Sequence, residues 1–257
     1  MGTSHEGESE PPRLPFELEH IIFVLAFEGD RKDAKHLLLV AKRVFDWLIP
    51  HVFNVVQIYL DRTMPISFNE TVYKRYGHHT RHLHLEPEAM VRHLPLFPNV
   101  INLTLWVPFD SAYKPFLLDL PLTRLTIMLS GYQPPPPELF QVFSRLTYLD
   151  LVTILLSWSS HRAIVEEHLY LPNLTHLCIV DSFAASILHL FLDKRRCPEL
   201  RLVILRGSPS RTTVNDQRVL IMKPPPTRNW DEGARGGIDM WKVAEQAISS
   251  RSDGDDE

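Results

Sequence analysis

The densest cluster of histidines, which are potential metal ligands, lies between residues 78 and 84. Side chains alternate along a strand, so His82 and His84 would share one face of the strand that this segment predicts. A zinc site needs three or four ligands, usually histidine, cysteine or carboxylate. The neighbouring candidates are Glu86 and His93, and no cysteine lies near them in the sequence. We therefore predict no metal site here.

The other reactive residues do not match a catalytic motif. The chain contains no Gly-x-Ser-x-Gly sequence, and its serines fall in predicted loops. Cys178 stands on a predicted strand, and a lone thiol without positioned partners is usually inert. The glycines between residues 233 and 237 match neither the phosphate-loop spacing nor the dinucleotide-binding spacing. We expect no catalytic residues, no cofactor and no enzymatic activity.

The composition is that of an ordinary globular protein. Of the 257 residues 44% are hydrophobic, and the apolar runs fall short of the roughly 20 residues that span a bilayer, so we expect no membrane partner. The net charge of −4 comes mostly from the two ends, since residues 1–10 and 251–257 each contribute −3 and leave about +2 elsewhere. This is not the basic face that nucleic-acid binding requires. Two cysteines and no secretory signal predict a reducing compartment, the cytoplasm or the nucleus.

A repeated pattern of apolar residues organises the middle of the chain. Each copy has an apolar residue, two others, an apolar residue, two others, and then two apolar residues flanking a single position. The copies are residues 97–105, 120–127 (one residue short), 143–151, 171–179 and 197–205, with a degenerate copy at 83–85. The end of each copy alternates as a short strand does. Such a unit cannot bury its apolar side alone, so the pattern predicts a solenoid of stacked repeats and a surface that holds another protein.

Helices are predicted before and between the repeats. Apolar spacing predicts one helix at 14–25, a second at 34–45 and a short third that ends at Pro50, followed by a strand within 52–60. Crossover helices are predicted at 87–94, 111–118, 138–143, 161–169 and 183–194. The resulting segments are a disordered leader (1–13), a helical module (14–58), the repeats (59–222), a C-terminal capping segment (223–250) and an acidic tail (251–257).

The helical module resembles an F-box. The matching residues are Leu14-Pro15-Phe16-Glu17-Leu18, Ile22, Leu25, Leu39-Val40-Ala41-Lys42-Arg43 and Trp47-Leu48. With the repeats that follow, the chain is similar to the large family of F-box and leucine-rich-repeat proteins of filamentous and mushroom-forming (basidiomycete) fungi. The resemblance implies an α/β fold: a short leucine-rich-repeat solenoid of parallel strands with crossover helices, preceded by a small all-α F-box-like module.

In that family the F-box docks on the Skp-type adaptor of a cullin-RING (SCF-type) ubiquitin ligase, and the repeats hold a protein substrate. The resemblance therefore implies a substrate-recognition subunit. By position, its adaptor-binding residues would be Leu14, Pro15, Leu18, Ile22, Leu39 and Val40. The alternative is a protein-interaction scaffold without a ligase, in which residues 14–58 only cap the repeats.

The substrate itself is not identified by the sequence, but its binding surface is predicted. Residues that flank the inward-facing pair of each strand would form the concave face. This face supplies the predicted partner-binding residues. They are His84, Trp106, Arg124, Tyr148, Asp150 and His176. The best anchors among them are Trp106, Arg124 and Tyr148, because tryptophan, tyrosine and arginine dominate interface energetics.

On the last two predicted repeat strands, the residues of that face are apolar apart from His176 and Arg206. An apolar patch of this kind needs a cover. Either the C-terminal segment around Trp230 and Trp241 folds back over it or the partner covers it, and we favour the C-terminal segment.

Overall fold

The chain divides into two compact units, Met1–Val52 and Phe53–Glu257. The structure is a computed structural model, and the residues that it describes are 14–29, 34–59, 70–86, 88–108, 113–129, 137, 139–153, 166–180, 185–206, 214–222 and 229–252. The predicted leader and most of the acidic tail lie outside these stretches. Within them, no helix has the length and apolar character needed to cross a membrane.

The first unit is helical. Its helices are α1 (Phe16–Gly29), α2 (Ala34–Leu37) and α3 (Lys42–Phe53). Phe27, Val44 and Leu48 form its buried core. The core therefore consists of one residue from α1 and two from α3.

The second predicted helix, residues 34–45, is interrupted. The amide of Leu39 donates to the carbonyl of His36 and that of Val40 to the carbonyl of Leu37, at 3.1 and 3.2 Å. These bonds reach back three residues instead of four, which tightens the chain into a turn and ends the α-helix. A separate helix, α3, then begins at Lys42.

The predicted helix end at Pro50 is wrong. Helix α3 continues through Pro50 to Phe53. A proline removes one backbone hydrogen bond and usually ends or kinks a helix. Here Leu48 and Ile49, which immediately precede it, are buried, so packing holds the last turn in place.

The second unit contains one sheet of eight parallel strands in sequential order. The strands are β1 (Val55–Ile58), β2 (His82–Leu85), β3 (Asn102–Pro108), β4 (Arg124–Leu129), β5 (Tyr148–Thr153), β6 (His176–Val180), β7 (Leu202–Arg206) and β8 (Val219–Met222). The predicted α/β class is confirmed, as are the strands within the apolar copies. The strand expected within 52–60 is shorter, because residues 52 and 53 end α3.

The repeated pattern is visible in the packing. Its first apolar position is buried in all five copies from residue 97 onward, as Phe97, Leu120, Phe143, Leu171 and Cys197. A hydrogen-bond ladder also repeats: the hydroxyls of Thr123, Thr147 and Thr175 each donate to the backbone carbonyl of the equivalent residue one copy earlier, at 3.3, 3.1 and 3.0 Å. Equivalent residues therefore occupy equivalent places in successive copies.

Helices cover one face of the sheet. They are α4 (Glu70–Tyr76), α5 (Lys114–Asp119), α6 (Leu139–Phe143), α7 (Ala185–Leu192) and 3₁₀ segments at Gly77–His79 and Glu88–Leu96. Apolar residues from most of these helices pack with inward strand residues such as Leu103 and Leu149 in one core. The crossover helix expected at 87–94 is a 3₁₀ helix, and most of the one expected at 161–169 lies outside the described residues.

Two C-terminal helices, α8 (Asn229–Ala234) and α9 (Met240–Ser252), are joined by a glycine turn. Gly236 has a φ of +85°, which favours glycine. Gly233 allows a close approach, because a Cβ there would lie 2.4 Å from the Cβ of Asp239. The glycines therefore shape a helix-to-helix turn.

Candidate functional site

The first unit exposes many large apolar side chains. Leu14 precedes α1, Leu18, Ile21, Ile22 and Leu25 follow one face of it, and Leu39 and Val40 lie on the turn after α2. We call these seven residues the N-terminal apolar surface. Each is about half exposed or more, and Leu39 reaches 83%. The sixth predicted adaptor residue, Pro15, is also exposed. Exposed apolar residues grouped in this way mark an interaction surface.

The contacts that hold the first unit together lie elsewhere. The rings of Phe16 and Trp47 meet edge to face at 4.8 Å. Arg43 on α3 forms an ion pair with Glu19 on α1. Together with the buried core, these contacts join α1 to α3 without using Ile22 or Leu39.

In the second unit, the sheet face opposite the helices is called the second face. The strand register aligns one row of its residues from β2 to β8. The row is His84, Thr104, Thr126, Asp150, Cys178, Ile204 and Leu220. It is polar over the early strands and apolar over β6 and β7, as the sequence predicts, and it is also apolar at Leu220 on β8.

Helix α9 packs on the apolar end of the second face. Trp241 and Ala244 are buried against Cys178, Leu202 and Ile204. Burial raises the pKa of the Cys178 thiol well above its usual value. The expectation that the C-terminal segment folds back over this end is confirmed for α9 and Trp241, whereas Trp230 on α8 contacts His84 on β2 instead.

Aromatic and charged contacts extend this packing. The rings of Tyr148 and His176 stack at 4.3 Å, and Trp241 meets them edge to face at 5.4 and 5.7 Å. His176 Nε2 also lies 2.8 Å from Glu245 Oε1 on α9. Two of the predicted partner-binding residues thus contact the chain's own helix.

Arg124 connects the second face to the glycine turn. Its guanidinium lies over the Tyr148 ring at 3.9 Å, and its Nη1 is 3.7 Å from Asp239 Oδ2. Both contacts are favourable for a cation. Arg124 therefore helps to hold the start of α9 against the sheet.

A buried ion pair lies beneath α9. Arg206 Nη2 approaches Asp150 Oδ2 at 3.2 Å, and Arg206 Nη1 also contacts the Met240 sulfur at 3.7 Å. Burial raises the pKa of the Asp150 carboxyl, and the Arg206 guanidinium opposes that rise. Asp150 is a structural partner of Arg206 here rather than an exposed contact residue.

A cavity of about 360 Å³ remains between the second face and the C-terminal helices. Small-molecule sites typically measure roughly 300–1,000 Å³. Its lining includes Tyr59, Glu86, Thr104, Trp106, Trp230 and Met240. The cavity is therefore large enough for a small ligand.

The predicted partner-binding residues have different surroundings. His84, Trp106, Arg124, Tyr148 and Asp150 line the cavity, whereas His176 is absent from its lining. Trp106 remains 40% exposed.

Sequence reasoning did not foresee that Trp230 approaches His84, because these residues are far apart in the chain. Large aromatic residues within a polar C-terminal segment were the only signal.

The histidine cluster does not form a metal site in the described part of the chain. His82 and His84 share the second face, as predicted, since Leu83 and Leu85 face the core. Asn102 Nδ2 lies 3.2 Å from His82 Nδ1. No three histidine, cysteine or acidic side chains among the described residues are placed to hold a metal ion.

No family model, curated protein or solved structure matches this chain.

Proposed function

We propose that the protein is a substrate-recognition subunit of a cullin-RING ubiquitin ligase. The first unit is an F-box-like module that binds a Skp-type adaptor. The second is a short leucine-rich-repeat solenoid that binds a protein substrate. Such a subunit acts in the cytoplasm or nucleus and has no catalytic residue of its own.

The N-terminal apolar surface carries this proposal. The residues that the F-box resemblance assigns to the adaptor are exposed, while Phe27, Val44 and Leu48 form the core. A module serving only as a cap would gain nothing from apolar side chains in water, since each buried residue contributes roughly 1.5–3 kcal/mol relative to exposure. An adaptor that buries them explains their presence.

The repeated packing supports the solenoid. Eight parallel strands in sequential order, with a threonine ladder linking successive copies, are what stacked repeats produce. On the second face, Trp106 on β3 is the exposed aromatic residue best suited to anchor a substrate. Helix α9 occupies the opposite, apolar end of the same face.

Adaptor binding is tested with the purified full chain and a purified Skp-type adaptor. Ile22→Asp and Leu39→Asp should each weaken binding at least about 100-fold, because a carboxylate would be buried in the interface. Ile238→Asp is the matched control, since Ile238 is 54% exposed and Ile22 50%. Circular dichroism should show all three variants folded.

Two results would overturn the proposal. One is the absence of adaptor binding by the folded full chain, which favours a scaffold without a ligase. The other is unfolding of the first unit by Ile22→Asp, which would make the exposed residues part of its core.

A further inference from the structure

One end of the cavity is formed by a row of side chains across three strands. The register pairs Ile58 with Leu85 and Leu85 with Leu105. The next residues are Tyr59 just after β1, Glu86 just after β2 and Trp106 within β3. They therefore lie side by side, with neighbours about 4.8 Å apart. All three line the cavity.

Aromatic rings surround this end. The His84 ring lies 5.1 Å from Tyr59 and 5.3 Å from Trp230, which descends from α8. Tyr59, Trp106 and Trp230 come from separate parts of the chain and converge on one cavity. Ring faces carry negative quadrupole potential and attract organic cations.

The charged residues that line the cavity also favour a cation. Three carboxylates, Glu86, Asp150 and Asp239, face two guanidiniums, Arg124 and Arg206. Burial lowers the pKa of His84, and the Glu86 carboxylate, whose Oε1 lies 3.5 Å from His84 Nε2, opposes that shift.

The aromatic end itself lies in a negative field. After burial, the causes that raise the pKa of Tyr59 are the charges of Glu86 and Asp231. An anionic ligand would be repelled here, and a cation would be stabilised.

A buried hydroxyl lies on the next row. Thr104 is only 3% exposed, lines the cavity and pairs in register with His84. Its Oγ1 has no hydrogen-bond partner among the described residues. Leaving a buried polar group unpaired is unfavourable, so a ligand group that bonds to it would be stabilised.

We propose that this cavity binds a small organic cation, with its ammonium group between Tyr59, Trp106 and Trp230 beside Glu86, and a polar group bonded to Thr104. The site lies wholly within the second unit. Its failure would leave the adaptor proposal intact, because adaptor binding concerns the first unit, but the site shares Trp106 with the proposed substrate surface.

Three probes that share a phenylethyl group and differ in charge test this inference on the full chain: phenethylamine, hydrocinnamamide and hydrocinnamate. Binding is followed by isothermal titration and by quenching of tryptophan fluorescence. We expect the amine to bind at least about 10-fold more tightly than the neutral amide, and the carboxylate not to bind.

Variants locate the site. Glu86→Gln should lower the affinity for the amine about 10-fold and leave that for the amide unchanged. Glu199→Gln is the matched control, because Glu199 is exposed and does not line the cavity. Trp106→Leu is a second variant, and it should weaken amine binding through loss of the aromatic ring. Trp106 is partly exposed, so the fold should tolerate this change.

The inference fails if none of the probes binds at up to about 10 mM, which corresponds to affinity too weak for a built site. It also fails if hydrocinnamate binds as tightly as phenethylamine, or if Glu86→Gln and Glu199→Gln have equal effects. Binding of a trimethyllysine peptide without binding of phenethylamine would assign the cavity to a protein partner. That result would overturn the proposal of a small-molecule site.

Discussion

The two units treat their apolar surfaces in opposite ways. The apolar end of the second face is covered by Trp241 and Ala244 of the same chain. The N-terminal apolar surface is left exposed, with Leu39 at 83%. An apolar surface that the chain covers itself contributes to stability, whereas one that it leaves open is available for a partner. Substitutions at the covered apolar end should therefore lower stability, whereas substitutions on the N-terminal apolar surface should weaken partner binding and leave stability nearly unchanged.

Trp241→Ala should give the largest effect. It removes a nearly buried indole from the cover and should lower the free energy of unfolding by about 3–5 kcal/mol. Urea unfolding of the second unit measures this loss. Trp106→Ala, at a site 40% exposed, is the control and should cost less than half as much. Equal losses would mean that α9 does not cover the face in solution.

The Trp241→Ala substitution should also make the Cys178 thiol reactive. Burial keeps its thiol protonated and inaccessible, so a thiol reagent should modify the intact protein only slowly at mildly alkaline pH. Opening the cover should speed modification of Cys178. Cys197, also buried but on the helix-covered side of the sheet, serves as the internal reference in peptide mapping.

Arg206→Met should rank next. It leaves the Asp150 carboxyl buried without its cation, which should cost about 3 kcal/mol in the free energy of unfolding. The double variant Asp150→Asn/Arg206→Met should recover a large part of that loss, because no buried charge remains. Urea unfolding of the two single variants and the double variant measures the coupling. Additive losses would contradict a direct pair.

The pH dependence of stability should be a smaller effect. Burial, assisted by Arg124, Arg235 and Arg81, lowers the pKa of His82 from 6.5 to about 4. Between these values the unfolded chain binds a proton that the folded chain does not, so stability should fall as the pH decreases from 6.5 toward 4.

Denaturant midpoints across this pH range test the effect. His82→Gln should flatten the slope. His36→Gln, at an exposed position of the first unit, controls for the substitution itself. An unchanged slope in His82→Gln would exclude His82 as the source.

Ile22→Asp should have the smallest effect on stability. Ile22 is half exposed and does not belong to the core of the first unit, so its replacement should change the free energy of unfolding by no more than about 0.5 kcal/mol. Leu48→Ala is the comparison, and it should cost about 2–5 kcal/mol because Leu48 is fully buried. Thermal unfolding measures both. Similar losses would mean that Ile22 is part of the core of the first unit.

Local periodicity explains what could be predicted. The strands within the apolar copies follow from alternation, because Leu103 and Leu105 must face the core when Asn102 and Thr104 do not. The passage of α3 through Pro50 could not be predicted, because the buried side chains of Leu48 and Ile49 override local propensity there. The interruption after α2 could not be predicted either, because no glycine or proline marks it.

The cavity depends on long-range contacts. His84, Trp106 and Arg124 were predicted on one face from alternation alone. Their enclosure by Trp230, Asp239 and Met240 depends on where the C-terminal helices pack, and no spacing within a single segment encodes that position.

The position of these helices in the chain affects how the protein is made. Residues 229–252 follow all eight strands, so a ribosome completes the sheet before it synthesises the cover. Until then Cys178, Leu202 and Ile204 are open to solvent, and chains that expose such surfaces during synthesis tend to aggregate. The nascent protein is therefore most vulnerable in the interval between translation of β7 and of α9.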